Sequence, residues 1–427
     1  MIEKQQHIPN EQFGLLDGGY SNYEGTTGLA RHRWYYYKEG FSPFLVEKAI
    51  EQTGIRKDDL IIDPFNGSGT TTLTSSLNGL KSVGIEVNPF TSFLSEAKIK
   101  NANLAELEKW KNIVLKSSDI GTQSPLIGFS TFSKTNKLEK WLFNNSVLNS
   151  FETGWQLTNT ISSYSIRKLV RLALISAAMQ NCNATRDGKC LRYRDNWEKK
   201  EFDKNSFIEA LELSLTNIKT DIEEKPIKEK AIIINGDCRN ILQSTNEFKS
   251  FKLCITSPPY LNTFDYTDIY RPELFLGKFI NDAESLYKLR LRTVRSHVQA
   301  KWEVPTKNDF GFLYDKTMKH INDNKENLMH KYIPMMIQAY FEDMLNILIL
   351  LKAKAAKDSQ LWFVVSNSAY AGHEVPVDLI IGDLATKAGW YLKDIAVLRY
   401  LKKRKTKYST NITQLRESAI ILTNEKF

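Results

Sequence analysis

The stretch between Leu60 and Glu86 constrains this chain most. Leu60-Ile61-Ile62 is a short apolar run ending at Asp63, the pattern of a strand buried on both faces of a parallel sheet. A Gly-rich turn follows, then a helix from about Thr70 to Leu80, then a second strand, Ser82-Val83-Gly84-Ile85-Glu86. Strand, turn, helix and strand within about 30 residues make a βαβ unit, which requires a parallel sheet with helices on its faces. The strand pattern returns at Ala231-Ile232-Ile233-Ile234, Leu253-Cys254-Ile255, Leu361 to Val365, Ile395 to Leu398 and Ser418 to Leu422. Six or seven strands alternating with helices predict a doubly wound α/β sheet.

Between the two strand groups the rhythm changes. After Glu86 the βα alternation stops, and residues 101–228 read as helices. Leu107, Trp110 and Val114 share one helical face, as do Phe207, Leu211, Leu215, Ile218 and Ile222. Ile166 to Met179 is apolar nearly all round, the mark of a buried helix. The chain therefore divides into an arm (1–30), a first half of the sheet domain (31–100), a helical insertion (101–228) and a second half (229–427). A chain of 427 residues is long enough for about three such units.

Hydrophobic residues at 42% and charged residues at 25% exclude global disorder, collagen and coiled-coil rod. A net charge of +9 with 11% aromatics points to a polyanionic partner. Cys182, Cys190, Cys238 and Cys254 fit neither a zinc knuckle nor a disulfide framework, so no metal site is expected. The start of the chain has no apolar signal core, and no apolar run approaches the roughly 20 residues of a membrane helix. The expectation is a cytoplasmic protein with reduced thiols and no membrane partner.

Two strand ends carry the chemistry. Asp63-Pro64-Phe65-Asn66-Gly67-Ser68-Gly69-Thr70-Thr71 sits where the first strand turns into the first helix. Gly67 and Gly69 let the backbone approach a ligand closely, and the helix start adds N–H donors. There is no Gly-Lys-Ser/Thr, so this is not a phosphate-cradling loop. An acidic Asp63 repels pyrophosphate and attracts an ammonium group. Glu86 ends the next strand at the place where dinucleotide folds bind ribose hydroxyls. Together these features suggest an adenosine-type ligand carrying an amino-acid group. The second site, Thr256-Ser257-Pro258-Pro259-Tyr260, also follows a strand. Its two prolines remove two donors and leave rigid carbonyl acceptors, suited to holding an amino group. Tyr260 offers a face on which a planar base can stack.

In these motifs the chain resembles the amino-methylating DNA methyltransferases of restriction–modification systems. Asp63 to Thr71 resembles their cofactor loop, and Ser257-Pro258-Pro259-Tyr260 their catalytic motif. The Ser form is typical of the N4-cytosine branch, whereas the N6-adenine branch usually has Asp or Asn there. Lys38-Glu39-Gly40-Phe41-Ser42-Pro43 resembles the segment that closes over the methionine end of the cofactor. Gly84 to Pro89 resembles the ribose-binding strand end, Asn235-Gly236-Asp237 the loop at the cofactor adenine, and Ser366-Asn367-Ser368 the strand lining the base pocket.

The resemblance implies a class I, Rossmann-like methyltransferase sheet with a large helical insertion, and S-adenosylmethionine as cofactor. It implies cofactor contacts from Lys38, Phe41, Asp63, Pro64, Phe65, Gly67, Ser68, Gly69, Thr70, Glu86, Val87, Asp237 and Cys238. It further implies a base flipped from double-stranded DNA, its amine held by Ser257 and the Pro258 carbonyl, beside Pro259 and under Tyr260. A cognate restriction endonuclease is the expected companion. Two segments are candidates for reading sequence: Thr185 to Arg194, with Arg186, Arg192 and Arg194, and Arg290 to Lys301, with Arg292 and Arg295. The run from Arg399 to Lys407, with Lys402, Lys403, Arg404 and Lys405, is a candidate phosphate contact. Phe264-Asp265-Tyr266 is a candidate wall of the base pocket. His297 reads as a surface or satisfied core histidine rather than a catalytic base. N6-adenine methylation and RNA amine methylation stay open as alternatives. A binder that kept the fold without catalysis is disfavoured by the intact Asp63, Glu86 and Ser257 to Tyr260.

Overall fold

Ser42 accepts a hydrogen bond from the Phe44 amide and Pro43 occupies the first turn, so helix α1 (Pro43–Thr53) starts where the sequence predicts. The computed structural model describes residues 8–13, 19–20, 23–135, 139–187, 190–402 and 412–426. Strand β1 (Leu60–Asp63), helix α2 (Thr70–Leu77) and strand β2 (Lys81–Glu86) form the expected βαβ unit. Helix α2 stops short of Leu80 because the Asn78 side chain turns back to the Thr74 carbonyl at 2.9 Å. The alternation does not stop at Glu86: Asn88 caps a further helix, α3 (Pro89–Lys98).

The central stretch holds α4 (Leu104–Ile120), α5 (Asn145–Leu157), α6 (Tyr164–Gln180) and α7 (Lys204–Glu224). Leu107 and Val114 are buried, as are all five residues assigned to one face of α7. The segment from Thr185 to Arg194 falls on a strand pair. There β3 (Ala184–Asp187) and β4 (Cys190–Tyr193) pair antiparallel. Arg186 pairs with Leu191 on its inner face and Thr185 with Arg192 on its outer one, so the strand pair has one wet face.

The sheet domain then resumes with β5 (Ile232–Asn235), α8 (Cys238–Ser244) and β6 (Phe251–Thr256). Three short helices follow: α9 (Tyr266–Ile269), α10 (Arg271–Leu276) and α11 (Ala283–Leu291). Next come α12 (Phe312–Asp323) and α13 (Ile333–Lys354). Helix α13 is long and apolar enough to span a membrane by composition, but its Ile337, Tyr340, Phe341 and Leu348 are fully buried against the sheet. Strand β7 (Ala355–Ser366), hairpin β8 (Ser368–Tyr370) and β9 (His373–Val375), α14 (Val377–Lys387), β10 (Tyr391–Lys402) and β11 (Gln414–Thr423) complete the fold.

The central sheet has seven strands in the order β10-β11-β7-β6-β1-β2-β5. The run β5, β2, β1, β6, β7 is parallel, and β11 enters antiparallel between β7 and β10. Successive residues of β1 face opposite cores. Ile62 packs with α13 and α14, whereas Ile61 packs with Trp362 and with Leu45 and Val46 of α1. The chain leaves β1 toward β2 and later returns to β6 on the other side. The crevice at the carboxyl ends of β1 and β6 is therefore the topological switch point, where such sheets bind ligands.

The helical block shares a core with the sheet domain through Trp34, Tyr35, Phe90, Tyr270 and Leu274. Polar bonds fasten the two. The fully buried Arg31 guanidinium donates to the carbonyls of Lys98 and Lys100 at 2.8 Å and of Lys225 at 2.9 Å. Asp221 of α7 accepts from the Arg31 amide and Trp34 Nε1, both at 2.7 Å, and pairs with Arg33. The cation–aromatic run from Arg31 to Tyr37 thus begins as a structural clasp. Asp221→Ala strands the Trp34 and Arg31 donors in a buried site. We expect it to cost about 3 kcal/mol in denaturant unfolding, with Asp221→Asn costing less.

Candidate functional site

Asp63 stands at the end of β1 with its carboxylate surrounded by donors. Thr256 Oγ1, at the end of β6, donates at 2.6 Å, Thr71 Oγ1 of α2 at 2.7 Å, and the Phe65 amide at 3.0 Å. Burial raises its pKa to about 6, and these three bonds oppose the shift. Gly67 and Gly69 both take positive φ, 49° and 84°. A Cβ on Gly69 would lie 2.7 Å from Ser95 Cβ, so only glycine lets the start of α2 press against α3. Glu86, ending β2, accepts from the Gly67 amide at 2.7 Å and the Asn88 amide at 2.8 Å. Burial raises its pKa while those amides hold it down.

The turn after β6 faces this loop. Ser257 Oγ donates to the Tyr260 hydroxyl at 3.4 Å, which leaves its own lone pairs free. Tyr260 donates to Glu417 Oε1 of β11 at 2.8 Å, and Glu417 Oε2 receives Arg399 Nε of β10 at 2.6 Å. Glu417 is buried. Burial, and then the Glu417 charge, pushes the Tyr260 hydroxyl well above its usual pKa.

Both strand ends open into one cavity of about 410 Å³. Every proposed cofactor residue except Gly69 lines it: Lys38, Phe41, Asp63, Pro64, Phe65, Gly67, Ser68, Thr70, Glu86, Val87, Asp237 and Cys238. So do Ser257, Pro258, Pro259 and Tyr260. The volume lies in the roughly 300–1,000 Å³ range of small-molecule sites. The donor set fits S-adenosylmethionine: Asp63 offers a carboxylate to an ammonium and Glu86 keeps lone pairs for ribose hydroxyls. The Asp237 carboxylate is engaged by Arg239, whose Nη2 lies 2.7 Å from Oδ2, so it faces the cavity in a fixed orientation. Phe264 and Tyr266 line the same cavity, while Asp265 caps α9 through the Thr267 amide.

Other residues fall elsewhere. Arg186 turns inward: it pairs with Glu273, donates to Tyr35 Oη at 3.1 Å and lies 4.3 Å from the Tyr270 ring centroid. A guanidinium so committed is a structural strut between this strand pair and the sheet domain, not a DNA contact. Arg194 likewise serves the block, donating to the Cys182 carbonyl at 2.8 Å. Arg295 is bound by Asp343 at 2.8 Å and Glu342 at 2.7 Å, which removes it from the surface set. Arg192 and Lys402 are exposed, and Arg292 is exposed at the cavity rim. Lys403, Arg404 and Lys405 lie outside the described residues. Ser366, Asn367 and Ser368 do not line the cavity among the described residues. Instead Ser368 bonds the Leu261 carbonyl and Asn367 bonds Glu374 at 2.8 Å, so they brace the catalytic turn from behind. His297 is buried in the cavity wall, and burial keeps it below its usual pKa.

Sequence reasoning missed Glu417 and Tyr270, and it read Arg399 as the start of a phosphate-contacting run, whereas Arg399 holds Glu417. Tyr270 bonds Glu39 and walls the cavity beside Tyr37. The available signal was an acid entering an apolar strand: Glu417 directly precedes Ser418 to Leu422.

Comparison with known proteins gives concordant matches. The family profile of N6- and N4-directed enzymes described as "DNA methylase" matches residues 16–95. The Type II methyltransferase M.BsoBI of Geobacillus stearothermophilus is 30% identical, covering 95% of this chain and 86% of that protein. The Type II methyltransferase M.AvaI of Nostoc sp. is 25% identical, covering 88% and 82%. A single hydroxyl joins the two strand ends, so Thr256→Val is expected to destabilise the fold by about 1–2 kcal/mol in denaturant unfolding and to raise the Asp63 pKa further.

Proposed function

The chain belongs to the amino-methylating DNA methyltransferases of restriction–modification systems, and on that premise we propose that it methylates cytosine N4 in double-stranded DNA. The observation that carries the choice of base is Ser257. A small neutral hydroxyl stands at the cavity where an amide or carboxylate is the adenine-branch form. Its free lone pairs, with the rigid Pro258 carbonyl, accept the two N–H bonds of the exocyclic amine. These bonds draw the amine lone pair out of conjugation with the ring and aim it into the cavity. Pro259 fixes the turn, and Tyr260 stacks on the flipped base with its ring orientation set by Glu417.

When bound, S-adenosylmethionine supplies a methyl group already activated on a sulfonium. Asp63 holds the ammonium of its methionine, Glu86 and Val87 the ribose, and Asp237 and Cys238 the adenine side. Lys38 and Phe41 cover the methionine end. Arg192, Arg292 and Lys402 are the exposed cations of the candidate DNA face, continued by Lys403, Arg404 and Lys405 in the basic run. The setting we infer is cytoplasmic, opposite a cognate restriction endonuclease.

The test is nucleoside mass spectrometry of unmethylated genomic DNA incubated with enzyme and S-adenosylmethionine. N4-methylcytosine is expected. N6-methyladenine would keep the mechanism and sink the Ser257 argument, and modified RNA alone would move the substrate class. Ser257→Ala and Tyr260→Ala should abolish methylation while calorimetry still detects cofactor binding, whereas Asp63→Ala should lose binding itself. Asp63 is ionised above about pH 6 and takes a proton as the pH falls through that value. The contribution of Asp63 to cofactor affinity should therefore be level above that pH and decline below it. Asp63→Asn should bind weakly with no inflection there.

A further inference from the structure

Beside the main cavity lies a smaller one of about 60 Å³, and the two share Tyr37, Gly40, Phe41, Ser68 and Thr70. Their electrostatics are opposite. The main cavity is lined by Asp63, Glu86, Asp237 and Glu417, whereas no carboxylate among the described residues lines the small one. Lys98, the last residue of α3, lines it and is only 2% exposed. Its ammonium has no hydrogen-bond or ion-pair partner among the described residues. Burying an unpaired ammonium is expensive, and such groups are normally matched by a counter-charge. The other cation there, Arg33, is already paired with Asp221. His32 is kept neutral, first by burial and then by the Lys98 charge. The Ser68 and Thr70 hydroxyls, common to both cavities, also lack hydrogen-bond partners among the described residues.

We propose that this side cavity receives the carboxylate of the cofactor's methionine end, held by Lys98 Nζ with the Ser68 and Thr70 hydroxyls. A zwitterionic amino-acid group is then split by charge. Its ammonium turns to Asp63 and its carboxylate turns to the pocket that Lys98 lines. Two hydroxyl donors and one ammonium satisfy a carboxylate, and the cavity has room for little more. Burial also lowers the Lys98 pKa, to about 7, and an arriving carboxylate restores its charge. The assignment rests on the cofactor cavity and is independent of which base is methylated.

The decisive comparison is calorimetric, between S-adenosylhomocysteine and its analogue lacking the carboxylate, titrated into wild type and Lys98→Met. Wild type should favour the carboxylated ligand by about tenfold or more. In Lys98→Met that preference should collapse, with affinity for the analogue changed by less than about twofold. The unliganded variant should also melt higher, because an unpaired buried charge has been removed. Equal weakening of both ligands, or an unchanged preference, would overturn the assignment. Should Lys98→Met fail to fold, Thr70→Val reads the same ratio: a reduced preference supports the site and an unchanged one rejects it. Acetate and inorganic phosphate titrated alone should give no heat, and saturable uptake of either would replace the proposal with a general anion site.

Discussion

The bond from Thr256 to Asp63 joins the ends of the two strands on which everything else depends. Strands β1 and β6 are sheet neighbours but lie far apart in sequence, with the whole helical block between them. Each ends in a turn that the chemistry needs, and one carboxylate receives a hydroxyl from both sides, Thr71 from its own helix and Thr256 from the partner strand. The cofactor loop and the catalytic turn are thereby set against one another before any ligand arrives. That pre-organisation is what positional catalysis requires, because a methyl transfer between correctly placed atoms asks little acid–base work of the protein.

The same economy governs the wall opposite. Tyr260 could rotate freely on its turn were its hydroxyl not bound to Glu417, which Arg399 holds in place across the β10–β11 pair. The antiparallel strand inserted between β7 and β10 therefore has a definite consequence for the site. It brings a buried acid to the end of the sheet where the base-stacking ring sits. Behind the turn, Ser368 and Tyr370 both bond the Leu261 carbonyl, so a segment expected in the pocket acts as its backing.

Much of this was legible in the sequence because local patterns determined it. The buried strands read as apolar runs, α1 and α7 read from their caps and faces, and the two motifs occupied strand ends. The failures share a different cause. Arg186 and Arg192 look alike in sequence, each polar in an alternating segment, yet one is buried against Glu273 and Tyr270 and the other is exposed. The face a strand turns inward depends on what it packs against, and no periodicity within ten residues contains that information. Arg295 was read as a DNA contact for the same reason: its partners, Glu342 and Asp343, belong to a helix some fifty positions on. Glu417 was missed because its role exists only through a bond to a turn on another strand.

These commitments also explain why a strongly basic chain can hold an acidic pocket. Several arginines that contribute to the net charge of +9 are paired internally: Arg33 on Asp221, Arg186 on Glu273, Arg295 on Asp343 and Arg239 on Asp237. Their fields are neutralised locally, so they neither crowd the cavity with positive charge nor compete for a cationic ligand. The cavity can therefore remain acidic toward an ammonium and a ribose. Meanwhile exposed cations such as Arg192, Arg292 and Lys402 stay available to a polyanion. Lys98 departs from this pattern as a buried cation without a partner among the described residues, and it lines a small cavity that adjoins the acidic one without sharing its carboxylates. In a protein that pairs its buried guanidinium groups so consistently, that departure is accounted for when the counter-charge arrives with the ligand.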